Sequence, residues 1–349
     1  MNKFIDPPKS ICLLRLSAIG DVTHMLPIIH TLQKVWPSCE LTWVIGKVEY
    51  QLMKNLPDIN FIVFDKNAGI SAYLQLRQQL KTKKFDVLLM VQAALRASLA
   101  SLVISAKVKI GFDKSRARDG QTWFSNLRIK GENRVHVLDS FFQFLQAMGI
   151  EQREMRWDLP IDSEAQDFAI QTISDKETVI INPSSSSPRR NWSAENYGKT
   201  IDYLIEVRQK QVIITGGSSE IEKQFSATIN RLCNFKPVDL TGKTNLMQLA
   251  ALIKKSELVI APDTGPTHIA TATGTPIIGI YAASNPERTG PYNDFKLLVN
   301  YYPEALDYFY HTTIEQQRWG LRVRHDKVML IIPVISVIEK IDLALSSVD

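Results

Sequence analysis

The feature that most constrains this chain is an alternation of short β-branched apolar runs with stretches of helical period, which occurs twice. Ile11–Leu16 is almost continuously apolar and is bounded by Ser17 and Gly20, as a strand buried on both faces must be. A helical pattern over Val22–Val35 follows and stops at Trp36-Pro37. Leu41–Ile45, Phe61–Phe64, Val87–Val91 and Val108–Gly111 read as further strands, with helices over Ser71–Lys83, Arg96–Ile104 and Val137–Met148, the last ending at Gly149. Residues 151–177 are polar and carry one helix, at Glu164–Ile173. The alternation then resumes with strands at Thr178–Asn182, Val212–Thr215, Leu258–Ala261 and Pro276–Ile280. Helices at Ala194–Val207, from Ser219, at Leu246–Lys254 and at Thr267–Thr273 lie among them. Strands separated by helices pair in parallel through crossovers. The pattern therefore predicts an α/β fold of two Rossmann-like, doubly wound domains facing a cleft. Residues 1–160 form the first domain and 161–330 the second, and an apolar helix at Ile335–Leu345 lies in a closing segment, 331–349.

The length, 349 residues, agrees with two domains at roughly 150 residues each. No apolar run approaches the ~18 residues of a membrane span. Asp6 and two prolines occupy the place where a signal peptide needs an apolar core, so the expected location is the cytoplasm. Cys12, Cys39 and Cys233 form no CxxC and no zinc-ligand spacing. Charge is uneven. Residues 1–160 carry 22 basic and 14 acidic side chains, while the remainder is slightly acidic. The stretch 107–134 alone has eight basic residues against three acids. Such a field suits an anionic partner, whether nucleic acid, phospholipid head groups or a phosphorylated substrate; scattered solvated side chains give the same count.

Several chemistries lack their signatures. There is no GxGxxG, no GxxxxGK, no HExxH, no GxSxG and no DxD. A nucleotide-binding enzyme of this kind would neutralise phosphate with helix N-termini and basic side chains, and no metal is expected.

Four strand-to-helix turns carry candidate residues. The first is RLSAIGD, residues 15–21, at the carboxyl end of the first strand, where open α/β sheets bind ligands. Gly20 allows close backbone approach or a positive φ. Asp21 is either a helix cap or a carboxylate placed to take a proton from a hydroxyl. The second is PDTGPTHIATATG, residues 262–274, where Thr264, Gly265, Thr267 and His268 offer donors at a helix start and Asp263 precedes them. The third is NPSSSSPRRNW, residues 182–192, with Ser184, Ser185 and Arg190 suited to phosphate oxygens. The fourth is TGGSSE, residues 215–220, where Glu220 is suited to ribose hydroxyls.

These motifs, together with LTGKTNL at 240–246, resemble in order those of glycosyltransferase family 9, the lipopolysaccharide heptosyltransferases. The resemblance implies the GT-B fold, with a C-terminal helix that crosses back to pack on the first domain. It implies inverting transfer of L-glycero-D-manno-heptose from ADP-heptose to the Kdo of Kdo-lipid A, most like heptosyltransferase I, without a metal or nucleic-acid partner. A later heptosyltransferase, another family 9 sugar transferase, a GT-B-like sugar-nucleotide 2-epimerase and a non-catalytic binder of anionic polysaccharide are the alternatives. Asp21 would be the general base. Ser184, Ser185, Arg190, Glu220, Asp263, Thr264, Gly265, Thr267 and His268 would bind the donor, although many members have lysine where Arg190 stands. Ser17, Gly20, Arg116, Arg118, Arg134 and His136 would meet the acceptor, with the enzyme peripheral at the cytoplasmic face of the inner membrane.

Overall fold

The computed structural model describes residues 6–174 and 177–346. Residues 1–5 of the segment read for a signal peptide, residues 175–176 of the polar stretch and residues 347–349 of the closing segment lie outside the described residues. The chain divides into two compact units after Pro160.

The first unit holds β1 (Ser10–Leu14), β2 (Glu40–Gly46), β3 (Ile59–Phe64), β4 (Phe85–Leu89), β5 (Ala106–Gly111) and β6 (Leu127–Arg128), in the order β3-β2-β1-β4-β5-β6. Every pairing is parallel. Ile11, Cys12, Leu13 and Leu14 are wholly buried, because helices cover both faces of such a sheet. The second unit repeats the plan with β7 (Thr178–Ile181), β8 (Gln211–Ile214), β9 (Val238–Asp239), β10 (Leu258–Pro262), β11 (Ile277–Tyr281) and β12 (Val299–Asn300), in the order β12-β11-β10-β7-β8-β9. In each sheet the strand order reverses once, between β1 and β4 and between β7 and β10. A crevice opens at the carboxyl ends of the strands at such a point, and ligands bind there.

Three details differ from the sequence reading. The helix expected over Val22–Val35 is two, Ile19–Thr23 and Met25–Val35. Pro27 lacks the N–H that would have bonded back across the junction. The helix expected over Ala194–Val207 is α-helical only to Asp202 and continues as a π-turn, Tyr203–Val207. The closing helix, Val334–Ser346, buries Val337, Ile341 and Leu345 in the core of the second unit, beside Trp192, Tyr197 and Ile280. The resemblance had it packing on the first domain. Its apolar stripe instead closes the second sheet's own helical layer, and the Trp192 indole N–H donates to the Ile332 carbonyl at 3.0 Å.

Candidate functional site

At the first reversal point, β1 runs directly into Arg15. Its side chain is buried and its guanidinium donates to the Val91 carbonyl, just beyond β4, and to the Asp21 carboxylate. The Phe141 ring lies 5.2 Å from the guanidinium carbon. Asp21 sits in the first turn of Ile19–Thr23, but Ala18 is the N-cap and no side chain caps this helix. The carboxylate is therefore committed to Arg15 and not to capping, and its side chain remains 31% exposed. A carboxylate fixed on one side and open on the other can accept a proton from a bound hydroxyl.

Ser17 is held by Gln92, whose side-chain amide donates to the Ser17 hydroxyl at 3.0 Å and accepts from the Leu16 N–H at 2.7 Å. Gly20 is buried and lies inside the helix, so the positive φ considered for it is not adopted. Gly46, at the end of β2, is required by close approach: a Cβ there would lie 2.2 Å from the Leu16 carbonyl oxygen.

The other residues expected to meet an acceptor are placed unevenly. Arg116 is tied into its own unit by Asp113, by the Glu132 carbonyl at 3.1 Å and by the Ser140 hydroxyl at 3.3 Å. Arg118 and Arg134 are exposed. His136 accepts the Leu138 N–H at 3.1 Å as an N-cap and meets His24 edge-on, with ring centroids 5.2 Å apart.

At the second reversal point, the loop after β7 brings Arg190 to Asp263, at the end of β10, with an Nη1–Oδ2 distance of 2.8 Å. Both side chains are nearly buried, Asp263 to 9% exposure. Ser284 donates to the same carboxylate oxygen at 2.8 Å, and Arg190 donates to the Ser186 hydroxyl at 2.7 Å. Thr264 is the N-cap of the helix Gly265–Thr273 and its hydroxyl makes no capping bond. The Thr267 hydroxyl turns inward to the Pro262 carbonyl at 2.7 Å. His268 is buried beside the pair. Burial holds its imidazole below the ordinary range, opposed by Asp263 and assisted by Arg190. Ser184 is buried, and the Asn182 amide donates to its carbonyl at 2.8 Å. The Ser185 N–H donates to the Asn191 side chain at 2.8 Å. A guanidinium paired with a carboxylate, a helix N-terminus and a buried imidazole are thus gathered at one point; a guanidinium and a helix end are groups that can offset an anion's charge.

Glu220 does not join this group. Its side chain is 76% exposed and pairs with Lys223 at 3.1 Å, because it points outward from the first turn of Glu220–Leu232. Glu222 folds back instead, accepting the Gly217 N–H at 2.6 Å and the Ser219 hydroxyl at 3.2 Å. The sequence reading also passed over Arg15, Gln92 and Ser284. Arg15 had a signal, since a lone charge in a run as apolar as ICLLRL demands a partner. Gln92 and Ser284 are single polar residues just past strands and had none. Among the described residues no three His, Cys, Asp or Glu side chains are grouped to hold a metal.

Comparison with known proteins gives these turns a family. The profile described as glycosyltransferase family 9 (heptosyltransferase) matches residues 73–315. The lipopolysaccharide core heptosyltransferase OpsX of Haemophilus influenzae is 40% identical over 347 residues, 98% of this chain and 100% of that protein. The chain belongs to glycosyltransferase family 9. Solved family structures share its fold. The family 9 glycosyl transferase from Veillonella parvula DSM 2008 aligns with a TM-score of 0.79 at 22% identity, covering 97% of both chains. The Escherichia coli heptosyltransferase WaaC with ADP aligns with a TM-score of 0.69 at 19% identity, over 83% of this chain and 92% of that one. The paired six-stranded parallel sheets are those of the GT-B fold, and this family 9 chain is a glycosyltransferase of the heptosyltransferase group.

Proposed function

We propose that the protein transfers L-glycero-D-manno-heptose from ADP-heptose to the inner core of lipopolysaccharide, with inversion, at the Kdo of Kdo-lipid A. The observation that supports this reading is the gathering of Arg190, paired with Asp263, beside His268 and the Gly265–Thr273 N-terminus, groups that could offset the charge of a leaving diphosphate. The 40% identity to OpsX, named a lipopolysaccharide core heptosyltransferase, and the ADP bound by WaaC support the donor and the product class.

Breaking the glycosyl–phosphate bond builds positive charge at the anomeric carbon and negative charge on the departing ADP. Arg190 and the helix N-terminus would stabilise the latter, with Thr264 and Gly265 nearest the phosphates and Ser184 and Ser185 beside them. Neutral His268 would donate a hydrogen bond, because its depressed basicity keeps it uncharged. Asp21 would take the proton of the acceptor hydroxyl as it attacks. Arg118 and Arg134 would meet acceptor phosphates and carboxylates, with Ser17 and Gly20 forming the floor near Asp21. In this scheme protein groups alone neutralise the diphosphate, so transfer continues in EDTA. The site would work at the cytoplasmic face of the inner membrane.

The experiment is ADP release from ADP-heptose, measured with no acceptor, with Kdo-lipid A and with an already heptosylated core. Release and a heptosylated product only with Kdo-lipid A are expected. Product only with the heptosylated core would move the step along the core, and conversion of the sugar without acceptor would replace transfer by epimerisation.

A further inference from the structure

The residues gathered at the second reversal point carry little net charge. Arg190 and Asp263 cancel at an Nη1–Oδ2 distance of 2.8 Å, and burial disfavours a charge on His268. Arg189, next in the chain, is paired with Asp326 at 2.7 Å. A departing diphosphate gains negative charge as its bond to the sugar breaks, and a neutral pair answers that charge poorly. The chemistry calls for a further cation close by.

A stretch of the same unit outside the four turns provides one. Residues 318–324 run antiparallel to the chain just beyond β11. The Val323 N–H donates to the Ala283 carbonyl at 2.9 Å, and Arg322 stands opposite Ser284. This bonding makes Ser284 and Arg322 a non-hydrogen-bonded pair, the kind with Cα atoms about 4.5 Å apart and side chains that leave the same face. Ser284 uses that face to reach Asp263, donating to Oδ2 at 2.8 Å. The side chain of Arg322 therefore starts beside the bond that closes the Arg190–Asp263 pair, and the residue is exposed.

The backbone there is fixed from several sides. The Tyr302 hydroxyl donates to the Leu321 carbonyl at 2.9 Å, the Arg324 N–H donates to the Tyr310 hydroxyl at 2.8 Å, and Val323 is buried in the core of the second unit. Gly320 admits the Arg288 side chain, whose Nε a Cβ would meet at 3.2 Å. Other charges lie close in sequence: Arg318, Arg324, Lys327, Glu287 and Glu315 are all exposed. Register, rather than their sum, singles out Arg322, because it is the one of these that stands opposite Ser284.

We propose that Arg322 is a second guanidinium of the donor site and holds the diphosphate of the sugar nucleotide, supplying the net positive charge that the Arg190–Asp263 pair lacks. Its planar fork of N–H donors suits phosphate oxygens. The assignment rests on the transfer reading above for the identity of the nucleotide, and ADP binding by the wild type separates the two.

The test is calorimetric titration of the full chain with ADP, beside steady-state transfer from ADP-heptose. Arg322→Ala should weaken ADP binding by roughly tenfold to a hundredfold and lower its salt dependence, with the acceptor KM unchanged. Arg322→Lys should recover part of the affinity, since it keeps the charge but not the fork. Lys327→Ala, an equal change of charge on the same stretch, should bind ADP as the wild type does. Thermal melts check that each variant is folded, and Arg322→Gln, which keeps the apolar stem, replaces Arg322→Ala if that variant does not fold. A wild type that binds no ADP would overturn the nucleotide reading and this assignment together. Wild-type ADP affinity in a folded neutral variant of Arg322, an equal loss in Lys327→Ala, or a loss confined to the acceptor KM would overturn the assignment alone.

Discussion

The two reversal points hold the same pair of residue types in different surroundings. Arg15 and Asp21 meet at the first, Arg190 and Asp263 at the second. In the first the arginine is buried and the aspartate is open to solvent on one side. In the second both are buried, and the aspartate takes a further hydrogen bond from Ser284. Burial and hydrogen bonding thus divide the roles that composition alone leaves equal. A carboxylate with an open side can exchange a proton with a ligand, whereas one enclosed by a guanidinium and a hydroxyl can only hold its partner in place.

Substitutions can break that contrast. Asp21→Asn keeps the shape of the first pair and removes the basic site, so kcat should fall by about 10²–10⁴-fold while ADP binding is retained. Single-turnover rates beside ADP titration measure both, and an unchanged rate would remove Asp21 from proton transfer. Arg190→Ala leaves Asp263 buried without its cation, which costs about 3–5 kcal/mol of stability in comparable pairs. Thermal melting should show that loss together with weaker ADP binding; Arg190→Lys should recover more of the stability than of the binding. If Arg190→Ala binds ADP as the wild type does, the phosphate role fails and only the structural one remains.

If Asp21 is the base, Arg15, which donates to its carboxylate, would act through it as a positioning residue. Arg15→Met removes the group that fixes the Asp21 carboxylate on one side. Its kcat should fall while ADP binding is retained, and Arg15→Lys should bring part of the rate back. The smallest effect concerns His268. Its folded form resists protonation, while in the unfolded chain it titrates near 6.5. The unfolded state therefore binds more protons as the pH falls below that value, and stability drops with it. Denaturant melts between pH 7 and pH 5 should show this slope, reduced in His268→Gln.

Much of this was legible in the sequence, for local reasons. Buried parallel strands announce themselves as apolar runs, and glycine-, proline- and hydroxyl-rich turns mark where they meet helices. The two-residue strands β6, β9 and β12 carry too little pattern to be read. Pairings were hidden for another reason: Arg190 and Asp263 lie 73 residues apart, and only the β7–β10 adjacency joins them. Glu220 and Glu222 show a finer limit. They share a helical turn, and which one covers the Gly217 loop depends on the direction each Cβ takes from the helix start.

The helix Val334–Ser346 gives the second sheet part of its inner wall, while everything the first unit packs together lies before residue 161. During vectorial synthesis the half that bears Asp21 is thus supplied with its whole interior early. The half that bears Arg190 and Asp263 waits, with one side of its interior uncovered, until the closing stretch of polypeptide is made.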